Sequence, residues 1–176
     1  SFLNEVAETV HTSSTGGSPE VLFGGLLANG NLGPTSGTWQ QMNEEGQGTT
    51  LNAALKYLEE AYGGFATTTT GGGVPNVAGI AIHPYELNEA SFYTPLGGAR
   101  YNRTEAFRYA VGAFHAKLVE LASSKGGGQR SLSITESGWP AEGNEWSVGE
   151  PEQALLLGQV ITYAKNNEAT LGLRNF

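Results

Sequence analysis

The chain of 176 residues is 39% hydrophobic and 15% charged, which is the length and composition of one globular domain with a good core. Its 17 acidic and 9 basic residues give a net charge of −8, which disfavours nucleic acid or an anionic membrane as a partner. Cysteine is absent, and this excludes a disulfide framework and any cysteine-based metal or redox site. No run approaches the roughly 20 apolar residues of a membrane span, and the residues from Ser1 onward lack the order of a signal peptide.

The first segment permits two interpretations. Residues 1–3 could end a strand, which would place Asn4 and Glu5 at its carboxyl end. The same residues could instead begin an amphipathic helix that continues through the apolar positions beyond them. Residues 13–18 are rich in Gly, Ser and Thr and predict a loop, and Pro19 stops any helix that runs on from the first segment.

The next segment predicts one strand followed by one helix. Residues 21–28 are apolar on both faces, which is typical of a buried parallel strand. The loop that follows holds Asn29 and Asn31, whose polar side chains could face a ligand. Apolar residues then keep helical spacing over 51–62, and two glycines at 63–64 end that helix. A strand-helix unit is therefore complete.

A second strand is predicted over residues 77–82, and it ends in His83, Pro84 and Tyr85. Pro84 favours extended backbone at His83, so His83 and Tyr85 share one strand face if the extension persists. Both side chains could then point into one pocket and donate hydrogen bonds to a carboxylate or a hydroxyl there. A purely structural histidine is the alternative. The Thr- and Gly-rich connection at 67–75 lacks the lysine of a phosphate-binding loop.

The remainder of the chain repeats the alternation of helix and strand. A long helix is predicted from Thr104 to the glycines at 126–128, followed by a strand over 131–135. Pro151 fits the first turn of a final helix, and residues 171–176 look like the start of another strand. Such alternation predicts a parallel α/β sheet with right-handed crossovers.

Glu136 stands at the carboxyl end of the predicted strand over 131–135. Leu132 and Ile134 alternate with small polar residues, as the period of a strand requires. In a β/α barrel this end carries the chemistry, because the βα loops open there. Gly138 and Trp139 follow and supply a sharp turn and a flat apolar face on which a sugar ring could stack. The alternative is a solvated glutamate in a turn.

The sequence Thr-Glu-Ser-Gly-Trp-Pro at residues 135–140 resembles the strand-7 nucleophile motif of retaining (β/α)8 glycoside hydrolases. It is most similar to the Glu-Thr/Ser-Gly-Trp-Pro form of endo-β-1,3-glucanases and their relatives. The resemblance implies that Glu136 is the catalytic nucleophile and that Trp139 contacts the sugar. It also supports a site role for His83 and Tyr85, because related glycosidases often carry a His or Tyr at the end of strand 6.

The resemblance also implies a fold. If Glu136 marks strand 7, the strands that begin near 21, 77, 131 and 171 are strands 5–8. The expected class is α/β, a parallel (β/α) barrel running from the end of strand 4 through strands 5–8, which is a half or truncated TIM barrel. A whole barrel typically needs about 250 residues. Residues 1–176 are therefore expected to form a single domain, the carboxyl-terminal part of a glycosidase-like barrel.

Retaining hydrolysis needs two carboxylates about 5.5 Å apart, one as nucleophile and one as acid/base. In the resembled group the acid/base sits at the end of strand 4, commonly as the second residue of an Asn-Glu pair. Asn4 and Glu5 form that dipeptide where the strand count requires it, so the resemblance implies Glu5 as the acid/base. The alternative is a solvated glutamate on a helix surface.

The expected function is a retaining glycoside hydrolase that acts on a β-linked glycan. Neither a cofactor nor a metal is expected, and the net charge suits a neutral oligo- or polysaccharide substrate. Another chain supplying the rest of the barrel is a possible partner, nucleic acid and membrane are not, and the expected location is secreted or extracellular. The alternatives are a non-catalytic carbohydrate-binding or structural protein with a glycosidase-like barrel, and an unrelated doubly wound α/β fold.

Overall fold

The structure, a computed structural model, describes residues 2–13, 20–27, 49–64, 77–85, 104–143 and 147–176. In chain order these residues form α1 (Phe2–Ser13), β1 (Leu22–Leu27), α2 (Thr49–Tyr62), β2 (Gly79–His83), α3 (Thr104–Lys125), β3 (Ser131–Ile134), α4 (Glu150–Leu171) and β4 (Leu173–Asn175). None of the helices in the described ranges is both long and apolar enough to cross a membrane. Asn29 and Asn31, the candidate ligand-facing residues of the sequence, lie outside the described ranges.

The four strands form one sheet in the order β1-β2-β3-β4, and every neighbouring pair is parallel. The predicted α/β class and the four predicted strand positions are therefore confirmed. Ile80 of β2 aligns with Leu132 of β3, and Leu132 aligns with Leu173 of β4. The spatial order follows the chain order without a reversal among these strands, and β2 and β3 occupy its centre.

One face of the sheet packs against the helices. Alternate residues of a strand point to the same face, so one alternating set of strand side chains forms this contact. Ile80, Ile82 and Leu132 are fully buried and belong to one apolar cluster with Leu58 of α2 and Phe114 of α3. The apolar stripes predicted for the helices supply the other half of this core. Burying such side chains contributes about 1.5–3 kcal/mol each.

The opposite face of the two central strands carries small side chains. Gly79 and Ala81 of β2 and Ser131 and Ser133 of β3 alternate with the core residues and share this second face. The hydroxyl of Ser131 donates to the carbonyl of Ala78 at 3.3 Å. A Cβ on Gly79 would collide with Ser131, so the close approach of the two strands requires glycine there.

Strand β1 contains a bulge at Gly24 and Gly25, where its register against β2 shifts before Leu26. The φ angles of the two glycines are 129° and 77°, which side-chain-bearing residues rarely adopt. A Cβ on Gly24 would also collide with the carbonyl oxygen of Ala81. The two glycines are therefore a requirement of the bulge.

An ion pair between Arg174 of β4 and Glu20, which precedes β1, links the two edges of the sheet. Three strand spacings separate β1 from β4, so in a flat sheet the two strands lie about 14 Å apart. Glu20 is also displaced toward the amino-terminal ends of the strands. Parallel sheets twist, and the ion pair brings side chains from the two edges of this sheet together.

The first segment is a helix, so the interpretation of residues 1–3 as the end of a strand 4 is wrong for the described residues. The apolar positions at 3, 6, 7 and 10 keep helical spacing, and Ala7 is fully buried. The hydroxyls of Thr9 and Thr12 donate to the carbonyls of Glu5 and Glu8, four residues earlier. Such local bonds are available in a helix and not in an extended strand.

Candidate active site at the carboxyl ends of β2 and β3

The central strands β2 and β3 end side by side and bring their last residues to the same edge of the sheet. Ile82 aligns with Ile134, and the amide of Thr135 donates to the carbonyl of Ile82 at 3.2 Å. His83 is the last residue of β2, and Glu136 follows β3 by two residues. Parallel strands therefore place both side chains at the edge where the βα loops begin.

The carboxylate of Glu136 is contacted by one side chain at each of its oxygens. The phenol of Tyr85 donates a hydrogen bond to Oε1, and Nδ1 of His83 lies 3.8 Å from Oε2. The side chain of Glu136 is 61% exposed and that of His83 is 26% exposed. The structure thus brings His83, Tyr85 and Glu136 together and leaves the carboxylate accessible to a ligand.

The rings of His83 and Tyr85 pack edge to face, with centroids 6.4 Å apart and planes at 80°. The amide of Tyr85 donates to the carbonyl of His83 at 3.1 Å, which closes a tight turn around Pro84. The predicted extension through Pro84 therefore does not continue to Tyr85. The turn still delivers both side chains to Glu136.

Burial, the hydrogen bond to Glu136 and the negative charge of that carboxylate together raise the pKa of Tyr85 from 10.0 to about 12, and burial is the largest of the three causes. The phenol therefore keeps its proton through the neutral and mildly alkaline range. In this state it is a hydrogen-bond donor to Glu136 and not a competing anion.

Trp139 does not present its indole at the surface. The residue is only 6% exposed and belongs to the apolar cluster between the sheet and the helices. Nε2 of Gln153 in α4 donates to its carbonyl at 2.6 Å. The sugar contact expected of Trp139 stays a prediction, and the structure gives this residue a packing role beneath the site.

Glu5 lies in the first turn of α1 and is exposed. In the ranges that the structure describes, no hydrogen bond or ion pair joins its carboxylate to Glu136. The contacts of Glu136 within the described residues are with Tyr85 and His83, and neither involves Glu5. Its role as acid/base stays a prediction.

Two further residues contact this site and were not singled out by sequence reasoning. A Cβ on Gly25 would lie 3.5 Å from Cε1 and 3.6 Å from Nε2 of His83, so the bulge of β1 borders the imidazole. The hydroxyl of Ser137 donates to the carbonyl of Pro84 at 2.9 Å. Sequence spacing could not indicate either contact, because both depend on register between strands that lie more than 50 residues apart.

A separate groove of about 560 Å³ lies on the helical layer and is lined by residues of α3 and α4, among them Arg108 and Tyr163. It includes neither Glu136 nor its two neighbours. Across the described part of the chain, no three His, Cys, Asp or Glu side chains are grouped to hold a metal ion. No protein-family model, curated protein or solved structure matches this chain.

Proposed function

We propose that this chain is part of a retaining glycoside hydrolase that acts on a β-linked glycan, with Glu136 as the nucleophile. One observation carries the proposal: an accessible carboxylate at the carboxyl end of a central parallel strand receives a phenol donor on Oε1 and an imidazole near Oε2. A solvated glutamate in a turn has no reason to hold two such partners from a strand 50 residues away. The motif at residues 135–140 supports the same role.

The proposed chemistry has two steps. An oxygen of Glu136 attacks the anomeric carbon and forms an acetal ester while the glycosidic oxygen leaves with a proton. Water then gives a proton to the acid/base and attacks that carbon, the ester bond to Glu136 breaks, and the sugar is released with the same anomeric configuration. Tyr85 fixes the carboxylate through Oε1, and His83 orients the carboxylate or a sugar hydroxyl, so the nucleophile needs little rearrangement before it attacks.

The barrel interpretation has two structural supports. The strand order follows the chain order, as in a β/α barrel, whereas a doubly wound sheet reverses its order at a switch point. The ion pair between Arg174 and Glu20 brings the two edges of the sheet together, which suits a sheet that curls toward closure. We therefore propose that β1 to β4 are strands 5–8 of a (β/α)8 barrel. The other strands would come from a further segment or from a partner chain.

The proton donor of this mechanism is a second carboxylate about 5.5 Å from Glu136. Glu5 is the candidate that the Asn-Glu dipeptide offers. Glu5 is exposed on α1, and this favours the alternative of a surface glutamate. If that alternative is correct, the acid/base is a carboxylate outside the described residues. Glu136 as nucleophile does not depend on which of these is correct.

The substrate class follows from the charge and the site. A neutral oligo- or polysaccharide suits a chain with a net charge of −8. The proposed mechanism needs only carboxylates, a phenol and an imidazole, so we propose no cofactor. A secreted or extracellular location would give such an enzyme access to polysaccharide.

Covalent labelling tests the proposal. The full chain, with any co-purifying polypeptide retained, is incubated with an activated 2-fluoro glycoside and digested for mass spectrometry. We expect a glycosyl adduct on Glu136, and none in Glu136→Gln. The exposed Glu142 offers the matched control, because Glu142→Gln should label like the unaltered chain. An adduct on another carboxylate would assign the nucleophile elsewhere. Glycan binding without any adduct would favour the carbohydrate-binding alternative.

A further inference from the structure

The hydrogen bond from Ser137 to Pro84 joins the two loops that carry Glu136 and Tyr85. Ser137 directly follows Glu136, and Pro84 directly precedes Tyr85. The hydroxyl of Ser137 donates to the carbonyl of Pro84 at 2.9 Å across 53 residues of sequence, and the bond is partly buried. This contact is separate from the side-chain contacts of Glu136.

The carbonyl of Pro84 and the amide of Tyr85 belong to one planar peptide group. Ser137 holds the carbonyl of this group, and the carbonyl of His83 accepts from its amide at 3.1 Å. Both polar atoms of the peptide are therefore bonded. These two hydrogen bonds fix the orientation of the peptide group. The direction in which the Tyr85 side chain leaves the backbone follows from that orientation.

The backbone ladder between β2 and β3 does not extend to this point. Its last described bond runs from the amide of Thr135 to the carbonyl of Ile82. Beyond it, the two chain segments are joined by the bond of Ser137 to Pro84 and by the contacts of Glu136 with Tyr85 and His83. The side-chain hydrogen bond of Ser137 thus joins the two segments beyond the last backbone hydrogen bond between the strands.

We propose that Ser137 is a positioning residue, whose hydroxyl holds the Pro84 to Tyr85 peptide so that the phenol of Tyr85 stays on Glu136. The kinetic consequence rests on the proposed function, whereas the structural consequence does not. Ser137→Ala removes the donor and frees the peptide to rotate. Ser137→Thr keeps a hydroxyl and should keep the bond.

The direct readout is the titration of Tyr85, followed by NMR of tyrosine labelled with ¹³C at Cζ. Loss of the contact with Glu136 removes two of the causes that raise the pKa of Tyr85, so in Ser137→Ala its midpoint should move from about 12 toward 10. Ser137→Thr should titrate like the unaltered chain. The matched control is Ser123→Ala, because Ser123 also donates to a backbone carbonyl, that of Val119 at 3.0 Å, but lies on α3.

The kinetic readout is hydrolysis of an aryl glycoside. In Ser137→Ala we expect kcat to fall about tenfold with KM little changed, because misplacement of a catalytic group weakens the transition state more than binding. The same substitution in a Tyr85→Phe background should have no further effect on kcat. An additional tenfold loss there would overturn the inference.

The outcomes separate this inference from the proposed function. If the Tyr85 midpoint moves in Ser137→Ala while Glu136→Gln leaves hydrolysis intact, Ser137 positions Tyr85 and the assignment of Glu136 as the nucleophile is wrong. If the Tyr85 midpoint and kcat both stay unchanged while the melting temperature falls, Ser137 only stabilises the loop and the positioning role is wrong.

Discussion

Tyr85 and Glu136 lie 51 residues apart in the chain, and the phenol of Tyr85 donates directly to Oε1 of the Glu136 carboxylate. The contact exists because β2 and β3 are parallel neighbours in register, so that both residues follow their strands at the same edge. It gives the carboxylate a defined orientation while its side chain stays largely exposed. A fixed, accessible carboxylate is what a covalent nucleophile requires.

Removal of the Tyr85 hydroxyl should weaken catalysis and leave the fold intact. A hydrogen bond to a charged group contributes about 1.5–3 kcal/mol, so Tyr85→Phe should lower kcat/KM by roughly ten- to a hundredfold. Steady-state kinetics on an aryl glycoside measures this loss. Tyr57→Phe is the control, because the Tyr57 ring is 55% exposed on α2 and stacks near Phe23, away from the site. Equal effects in both variants would contradict the assigned role of Tyr85.

The alkaline titration of Tyr85 should depend on Glu136. The pKa of Tyr85 in the folded chain is about 12, above the ordinary value of 10.0. The stability that neutral Tyr85 contributes is therefore fully present below pH 10 and is lost as the pH rises through about 12. In Glu136→Gln the pKa of Tyr85 should fall only part of the way to 10, because burial, the largest cause, remains.

The same titration needs a residue-specific assignment. Burial also raises the pKa of Tyr109 to about 12, so total tyrosine absorbance at high pH reports on both residues. The ¹³Cζ resonance of Tyr85 is identified by its disappearance in Tyr85→Phe. Only that resonance should respond to Glu136→Gln, and a matching shift of the Tyr109 resonance would indicate a general loosening of the core.

The sequence predicts the fold correctly where the pattern within a single segment is enough to identify that segment as a strand or a helix. Residues 21–28 and 77–82 are short apolar runs in the sequence, and this pattern is sufficient to predict a buried parallel strand in each segment. Residues 1–3 were ambiguous, because three residues cannot separate a period of two from one of 3.6. Only the apolar spacing of the residues that follow, up to Ser13, identifies this segment as a helix.

The candidate site was predictable in part. Glu136, His83 and Tyr85 could be predicted because each lies at the carboxyl end of a strand, and parallel strands end at the same edge of a sheet. The contacts of Ser137 and Gly25 could not be named, since they depend on the tight turn at Pro84 and on the bulge in β1. The burial of Trp139 is likewise a consequence of tertiary packing, because a short motif does not specify which way a ring turns.

Gly25 should be required for ligand access to His83. A Cβ there would stand 3.6 Å from Nε2 of the imidazole, where a sugar hydroxyl bonded to that nitrogen would lie. Gly25→Ala should therefore raise KM several-fold. Gly126→Ala is matched for backbone strain, because φ is 77° at Gly25 and 76° at Gly126, and a Cβ on Gly126 meets no atom within 4 Å. Both variants should lose about 1–2 kcal/mol of stability, and an equal KM in the two would rule out the access role.

Leu132 should be among the residues on which folding depends most. It is fully buried in β3, between the sheet and the helices. Leu132→Ala should reduce the free energy of unfolding by about 2–5 kcal/mol. Leu155→Ala, at a leucine that is 60% exposed on α4, should change it by less than about 0.5 kcal/mol. Urea unfolding followed by circular dichroism measures both, and a small effect at Leu132 would mean that β3 is not central to the core.

Glu5→Gln decides between the two interpretations of Glu5. Its position on an exposed turn of α1 leads us to expect that the variant hydrolyses natural glycans and activated aryl glycosides as the unaltered chain does. An acid/base would behave differently, because a good leaving group needs little proton donation whereas a natural glycan needs it fully. Loss of natural substrates with activated ones retained would therefore assign the acid/base to Glu5 and require α1 to face Glu136. Comparison of the two kcat/KM ratios, with Glu8→Gln on the same helix as control, is the measurement.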